Sequence, residues 1–179
     1  MAVRDRIELR RRLAEVAGTQ AGYFTAAQAL EAGYSYSAQR YHVYRGNWTQ
    51  VDRAIFRLRD WPVGEHEDLV RWTLWSRGAG VVSHETALAL HDLGDANPAH
   101  IQLTVPPGFR KTGHGVMLHV GELSERDVEE WEGFRVTTPL RSVLDSAGGG
   151  LDLDQLGGAI DDAKDRVGPA ELSAPCIDQ

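Results

Sequence analysis

The stretch Gly22–Trp61, GYFTAAQALEAGYSYSAQRYHVYRGNWTQVDRAIFRLRDW, decides the fold of the first part of the chain. It contains two short helical patterns separated by a Gly33-Tyr34-Ser35 turn, followed by a tight turn and an arginine-containing segment with β-type residues. Trp61-Pro62 closes the segment. This order of helix, turn, helix and two-stranded wing predicts a winged helix-turn-helix, whose second helix has the shape to enter the DNA major groove.

Capping and turn residues predict where these helices begin and end. Thr25 and Gln28 form a capping-box pattern at the start of the first helix of the pair, and Gly33 suits its end. Ser35 or Ser37 is placed to cap the second helix. An additional helix is expected upstream, because apolar residues recur on one face of the segment 4–17.

The second part of the chain mixes strand and helix patterns. His100–Val105 predicts a strand, Val116–Val120 is expected to pair with it across a basic loop, and Phe134–Thr137 predicts a third strand. We therefore expect an α+β protein in which the winged helix-turn-helix is followed by a small α/β domain with a short, mainly antiparallel sheet. The expected divisions are a DNA-binding domain at 1–62, an α+β domain at 65–167 and a flexible tail at 168–179.

Charge is distributed unevenly between these parts. The whole chain has a formal net charge of −7, yet residues 1–62 hold ten Lys and Arg against six Asp and Glu, which is +4. The remainder holds nine against twenty, which is −11. Because phosphate binding depends on local positive charge, a nucleic-acid partner for the first part is compatible with the acidic total.

Composition also indicates where the protein functions. No run of about 18 apolar residues is present, so we expect no transmembrane helix and no membrane partner. The charged start MAVRDRIELRRR lacks a following apolar stretch, so we expect no signal peptide. A single cysteine, Cys176, excludes a disulfide framework. A cytoplasmic location is the expectation.

The second helix of the predicted unit would present its outer face to DNA. If Val43 faces the core, Arg40 projects outward and can form a forked pair of hydrogen bonds with guanine, while the tyrosines contact sugars or thymine methyl groups. The alternative is that Tyr41 and Tyr44 are partly buried packing residues. The residues predicted to contact DNA, on this helix and on the wing, are Tyr36, Ser37, Arg40, Tyr41, Tyr44, Arg45, Thr49, Gln50 and Arg53.

Sequence patterns favour a protein without catalytic, metal or cofactor sites. His84 and His91 lie seven residues apart, about 10.5 Å along a helix, which is too far for both to bind one ion. Ser83 and His84 are expected to cap and pack a helix, since adjacent helical residues point apart and do not form a hydrolase pair. Nucleophile-elbow, P-loop and dinucleotide-binding patterns are missing from the sequence.

An ordered set of short motifs resembles a known family. GYFTAAQA at Gly22–Ala29, GYS at Gly33–Ser35 and IFRL at Ile55–Leu58 resemble the N-terminal domain of AbiEi-type antitoxins of type IV toxin–antitoxin systems. The similarity covers roughly residues 20–147. Three further motifs resemble the domain that follows in that family. They are VSHETALALHDL at Val82–Leu93, IQLTVP at Ile101–Pro106 and VTTPLRSVLD at Val136–Asp145.

The resemblance implies a function as well as a fold. It implies a winged-helix protein that binds double-stranded operator DNA, represses its own operon and neutralises a nucleotidyltransferase toxin encoded alongside, with direct contact to the toxin left open. This chain departs from the family where relatives usually have aliphatic residues, at Gln39 and His42. Ala54 stands where a glycine is usual, and Asp52 replaces a basic or neutral wing residue.

Two other functions are compatible with the sequence. A winged helix can bind a protein instead of DNA, and a pI near 5.5 is compatible with that use. A nuclease would require clustered acidic and lysine residues on strands. The candidates lie largely on predicted helices and are Asp145, Asp152, Asp154, Asp161, Asp162 and Lys164.

Overall fold

The computed structural model describes the backbone of residues 3–166 and the side chains of residues 5–164. The predicted flexible tail and Cys176 lie outside these residues. The described chain forms two compact units, the first made of residues 3–79 and 131–134 and the second of residues 80–130 and 135–166. The division lies further along the chain than the boundary at 62–65 predicted from the sequence, because the helix after the wing clusters with the first unit.

The first unit has the element order of a winged helix-turn-helix, as predicted. Its three strands form an antiparallel sheet in the order β1-β3-β2, so that β2 and β3 make the wing. The elements are α1 (Val3–Gly18), β1 (Tyr23–Thr25), α2 (Ala26–Glu31), α3 (Tyr36–Tyr44), β2 (Trp48–Asp52), β3 (Ile55–Leu58) and α4 (Glu67–Trp75).

Local signals set the ends of α2 and α3. The capping box predicted at Thr25 and Gln28 is formed at the start of α2. Ser35 rather than Ser37 caps α3, since its side-chain oxygen accepts a hydrogen bond from the amide of Ala38 at 3.3 Å. Gly33 follows α2 with φ of 105°, and a Cβ there would meet a methyl group of Leu9. Glycine adopts this left-handed conformation without the strain that other residues would carry.

Aromatic side chains form the centre of the first unit. Phe24 and Trp48 pack edge to face with ring centroids 4.8 Å apart, and Tyr34 contacts Trp48 in the same way at 5.0 Å. Burying each such side chain stabilises the fold by about 1.5–3 kcal/mol. The buried cluster consists of Leu13, Ala17, Phe24, Ala29, Ala32, Tyr34, Trp48 and Phe56.

The second unit is built around a five-stranded mixed sheet. The strands lie in the order β6-β5-β4-β8-β7. Within the described residues, no helix of either unit combines the length and apolar character needed to cross a lipid bilayer. The elements are β4 (Val81–Val82), α5 (His84–Leu90), β5 (Ile101–Val105), β6 (Val116–Val120), a short 3₁₀ helix (Glu125–Asp127), β7 (Val128–Trp131), β8 (Phe134–Thr137), α6 (Pro139–Gly148) and α7 (Leu153–Arg166).

Strand directions in this sheet differ from the mainly antiparallel arrangement predicted from the sequence. β5 and β6 are parallel, with Ile101 opposite Val116, and β4 and β8 are also parallel, while β4 and β5 are antiparallel. The connection at 106–115 explains the difference. Its ten residues can span about 33 Å, whereas a five-residue strand is about 17 Å long. The chain can therefore return along β5 before it forms β6.

Ala54 provides a test of the wing geometry. It lies in the β2–β3 turn with φ of 61°, a left-handed conformation that costs an L-residue about 1–2 kcal/mol. Glycine removes this strain but loses more conformational entropy on folding. We therefore expect Ala54→Gly to raise the free energy of unfolding by about 0.5–1 kcal/mol in urea denaturation followed by circular dichroism.

Ala27→Gly is the matched control for this substitution. Ala27 lies exposed within α2 with a helical backbone, where glycine costs about 0.5–1 kcal/mol relative to alanine. The two substitutions should therefore change stability in opposite directions. A loss of stability in both variants would contradict the assigned turn strain.

Candidate nucleic-acid interface

One face of α3 carries an exposed stripe of Tyr36, Arg40 and Tyr44. These residues are spaced by four, so they follow one another along one side of the helix. Tyr36 is 65% and Tyr44 is 87% exposed, and Arg40 is also exposed. Tyr41 is 57% exposed. Tyr44 is therefore not a partly buried packing residue, whereas Tyr41 is exposed and also contacts the ring of His42.

A groove runs between this stripe and the wing. Its volume is about 780 Å³, and Gln50 of β2 forms part of its wall together with the three stripe residues. Four of the nine predicted residues thus meet in one concavity. The other lining residues, which are mostly apolar and were not predicted from the sequence, are Ala26, Gln39, Val43, Ala54 and Phe56.

The other five predicted residues are exposed but lie outside the groove lining. Tyr41 packs edge to face against His42, and the Ser37 hydroxyl lies 2.9 Å from that of Ser35. The remaining three, which follow α3 into the wing, are Arg45 at the C-cap of α3, Thr49 on β2 and Arg53 in the β2–β3 turn.

Charged groups near α3 differ from those on α1. The side chains of Arg40, Arg45 and Arg53 form no ion pair with any residue in the described part of the chain. On α1, in contrast, Arg11 and Arg12 both bind Glu8 at 3.0 Å, and their hydrogen bonds lower the pKa of Glu8 to about 2. The three arginines on α3 and the wing are therefore available to an external anion, whereas Arg11 and Arg12 are held by Glu8.

Gln39 fixes the orientation of α3, although the sequence did not single it out as a functional residue. It is only 3% exposed, and its side-chain amide donates to the carbonyl oxygen of Ala26 at 3.0 Å and to that of Tyr34 at 3.1 Å. These two bonds join α3 to the start of α2 and to the intervening turn. Where an aliphatic side chain would make only packing contacts, Gln39 makes two directed hydrogen bonds.

Replacing Gln39 with leucine tests this role. The change introduces an apolar side chain of similar size but removes the donor to the buried Tyr34 carbonyl and to the half-buried Ala26 carbonyl, which costs about 1–3 kcal/mol. We expect Gln39→Leu to lower the free energy of unfolding by that amount in urea denaturation. At the exposed Gln50, the same substitution should change stability by less than about 0.5 kcal/mol. Equal effects would argue against the two directed bonds.

A buried histidine cluster in the second unit corrects the expectation for Ser83 and His84. The Ser83 hydroxyl makes no capping bond but lies 2.9 Å from Nδ1 of His84, so the adjacent side chains meet rather than point apart. His84 has φ of 54°, which departs from the helical geometry assumed. Thr104 donates to Ser83 at 2.8 Å, and the ring of His84 stacks on that of His119 with centroids 3.5 Å apart.

This cluster is structural in character. Ser83 is fully buried, so its hydroxyl is inaccessible to a substrate. His91, also buried, places Nε2 2.8 Å from the carbonyl oxygen of Thr137. Among the residues for which side chains are described, no group of three or more His, Cys, Asp or Glu is arranged to hold a metal ion.

The cluster makes stability depend on pH. Burial, followed by the neighbouring His119, lowers the pKa of His84 from 6.5 to about 4. The unfolded chain therefore binds a proton at His84 more tightly than the folded chain does. The free energy of unfolding is highest above pH 6.5, where His84 is neutral in both states, and it decreases as the pH falls towards 4. We expect His84→Asn, which tolerates the positive φ, to weaken this acid sensitivity in urea denaturation.

His114→Asn is the control for the pH experiment, because His114 is exposed. This variant should lose stability between about pH 7 and about pH 5 as the unsubstituted protein does. If His84→Asn shows the same loss as the control, the buried imidazole is not its source. Burial also lowers the pKa of His119. The acid sensitivity that remains in His84→Asn is therefore expected to come from His119.

Comparison with known proteins leaves the family open. No protein-family model matches the chain, and no curated protein does. Among solved structures, the crystal structure of the Rv2827c protein from Mycobacterium tuberculosis resembles it with 14% sequence identity and a TM-score of 0.43. The match covers 65% of this chain and 46% of that one, so the chain spans less than half the length of that protein. A likeness this distant carries no functional argument, and AbiEi membership stays a prediction.

Proposed function

We propose that the protein is a DNA-binding transcriptional regulator that represses its own operon. The observation that carries this proposal is the exposed stripe Tyr36-Arg40-Tyr44, which lies on the second helix of a helix-turn-helix. In such units this helix enters the major groove, which is about 12 Å wide. Arg40, without an ion-pair partner among the described residues, is available to contact guanine.

The wing supplies the expected phosphate contacts. Arg45 at the C-cap of α3, Thr49 on β2 and Arg53 in the β2–β3 turn are all exposed. Contacts of this kind position a protein on the duplex, while contacts to base edges determine the sequence preference. The charge of +4 over residues 1–62 favours approach to a polyanion.

The antitoxin role is a further part of the proposal. It is supported by the resemblance of the ordered motifs to AbiEi-type antitoxins, which implies a nucleotidyltransferase toxin as the cognate partner. In this role the protein acts without catalysing a reaction. Of the acidic residues that a nuclease would use, Asp145 lies on α6 and Asp161 on α7, where each forms an ion pair with a neighbouring residue.

Arg40→Ala tests DNA binding directly. In a gel-shift assay on the promoter upstream of the protein's own gene, we expect it to weaken binding by about tenfold or more, because a forked arginine–guanine contact is worth about 1–3 kcal/mol. Arg12→Ala is the matched control, since Arg12 is an exposed arginine paired with Glu8 on α1. Failure of the unsubstituted protein to bind the promoter at moderate salt would refute the proposal.

Salt dependence separates DNA binding from the alternative of a protein-binding winged helix. Each phosphate contact releases counterions, so the logarithm of the DNA affinity should fall linearly with the logarithm of the salt concentration. Arg53→Gln should reduce that slope by about 1 if it removes one phosphate contact. Salt-independent binding to a protein, with no affinity for DNA, would favour the alternative.

A further inference from the structure

A second concavity of the first unit lies on the other side of α3. It has a volume of about 410 Å³, within the range of small-molecule sites, and is bounded by α1, the end of α3 and the wing strands. Four aromatic rings form its walls, namely Tyr34, His42, Trp48 and Trp61. His42 and Trp48 are stacked with an interplanar angle of 15° and ring centroids 4.7 Å apart. Flat aromatic walls favour a planar occupant.

Hydrogen-bond donors without protein partners lie in this aromatic lining. Tyr34 is 8% and Trp48 is 4% exposed, so both are more than nine-tenths buried. Neither the Tyr34 hydroxyl nor the Trp48 indole N–H forms a hydrogen bond with another described residue. Both donor atoms remain accessible to solvent at the cavity, so they are available to an occupant that accepts hydrogen bonds.

His42 adds a third donor. The side-chain amide of Asn47 lies 3.1 Å from Nδ1 of His42, and an amide N–H can only donate. Nδ1 is therefore the acceptor, which leaves the proton on Nε2. Burial lowers the pKa of His42, so its ring is neutral near pH 7 and keeps this tautomer.

Charged residues at the cavity favour an anion. Arg10 and Arg59 both line it, opposed by Asp60, which leaves one net positive charge. Arg10 makes no ion pair with a described residue, and Arg59 donates only a long hydrogen bond of 3.5 Å to the carbonyl oxygen of Gly46. Both guanidinium groups are therefore available to a carboxylate.

We propose that this cavity is a binding site for a planar aromatic carboxylate. The ring lies among the aromatic walls, the carboxylate meets Arg10 and Arg59, and the unpartnered donors contact its acceptor atoms. A DNA phosphate fits less well, because a tetrahedral anion would use the arginines but leave the flat walls unoccupied. The site is distinct from the α3–wing groove, and its occupancy does not depend on DNA binding.

The experiment titrates the full-length protein with indole-3-carboxylate and, separately, with its neutral analogue indole-3-carboxamide, by isothermal calorimetry without DNA. We expect saturable one-to-one binding of the carboxylate and at least about tenfold weaker binding of the carboxamide. In ¹H–¹⁵N spectra, the indole N–H resonance of Trp48 should shift during the titration with the carboxylate.

Variants then locate the site. Arg10→Gln and Arg59→Gln should each weaken carboxylate binding by at least about tenfold, whereas Arg12→Gln, on another face of α1, should leave it unchanged. All three positions are exposed, so the variants should fold, which circular dichroism checks. The proposal is overturned by the absence of saturable binding at millimolar concentration, by equal affinity for the carboxamide, or by full binding in the Arg10→Gln/Arg59→Gln double variant.

Discussion

The buried amide of Gln39 is the constraint on which the arrangement of α3 depends. A helix turns by about 100° per residue, so burying one side chain fixes the direction of all the others. With Gln39 bonded to the carbonyl oxygens of Ala26 and Tyr34, the stripe Tyr36-Arg40-Tyr44 is held at the surface beside the wing. An aliphatic residue would fill the same space without fixing this rotation as strictly, because dispersion contacts have no preferred direction.

The two sides of α3 therefore have different chemistry. The stripe side combines phenol rings with a cation and opens to solvent, whereas the opposite side carries His42, stacked on Trp48 in the aromatic interior. Arg40 and His42 are only two residues apart, which places them about 200° from each other around the helix axis. A ligand beside His42 and a duplex beside Arg40 would thus contact the same short rigid element, which gives the two proposals a common structural basis.

The second unit shows how a polar cluster can be structural although it contains residues typical of catalysis. Ser83, His84, Thr104 and His119 approach one another within hydrogen-bonding or stacking distance, yet they are largely or fully buried. Their hydrogen bonds satisfy polar groups in the interior, and burial lowers the pKa of both imidazoles. Proximity of a serine and a histidine is therefore insufficient to indicate a hydrolase here, since access to solvent is lacking.

The sequence by itself determined the winged helix-turn-helix, because capping residues such as Thr25, turn glycines such as Gly33 and alternating wing residues are local signals. It also placed the outward residues of α3 correctly, since their spacing depends only on the helical repeat. Tertiary structure alone decided the parallel pairing of β5 with β6, the contact between Ser83 and His84, and the apolar groove lining at Ala26 and Phe56. These features join residues far apart in the chain or depend on an unusual backbone angle, and no local pattern of residues encodes either.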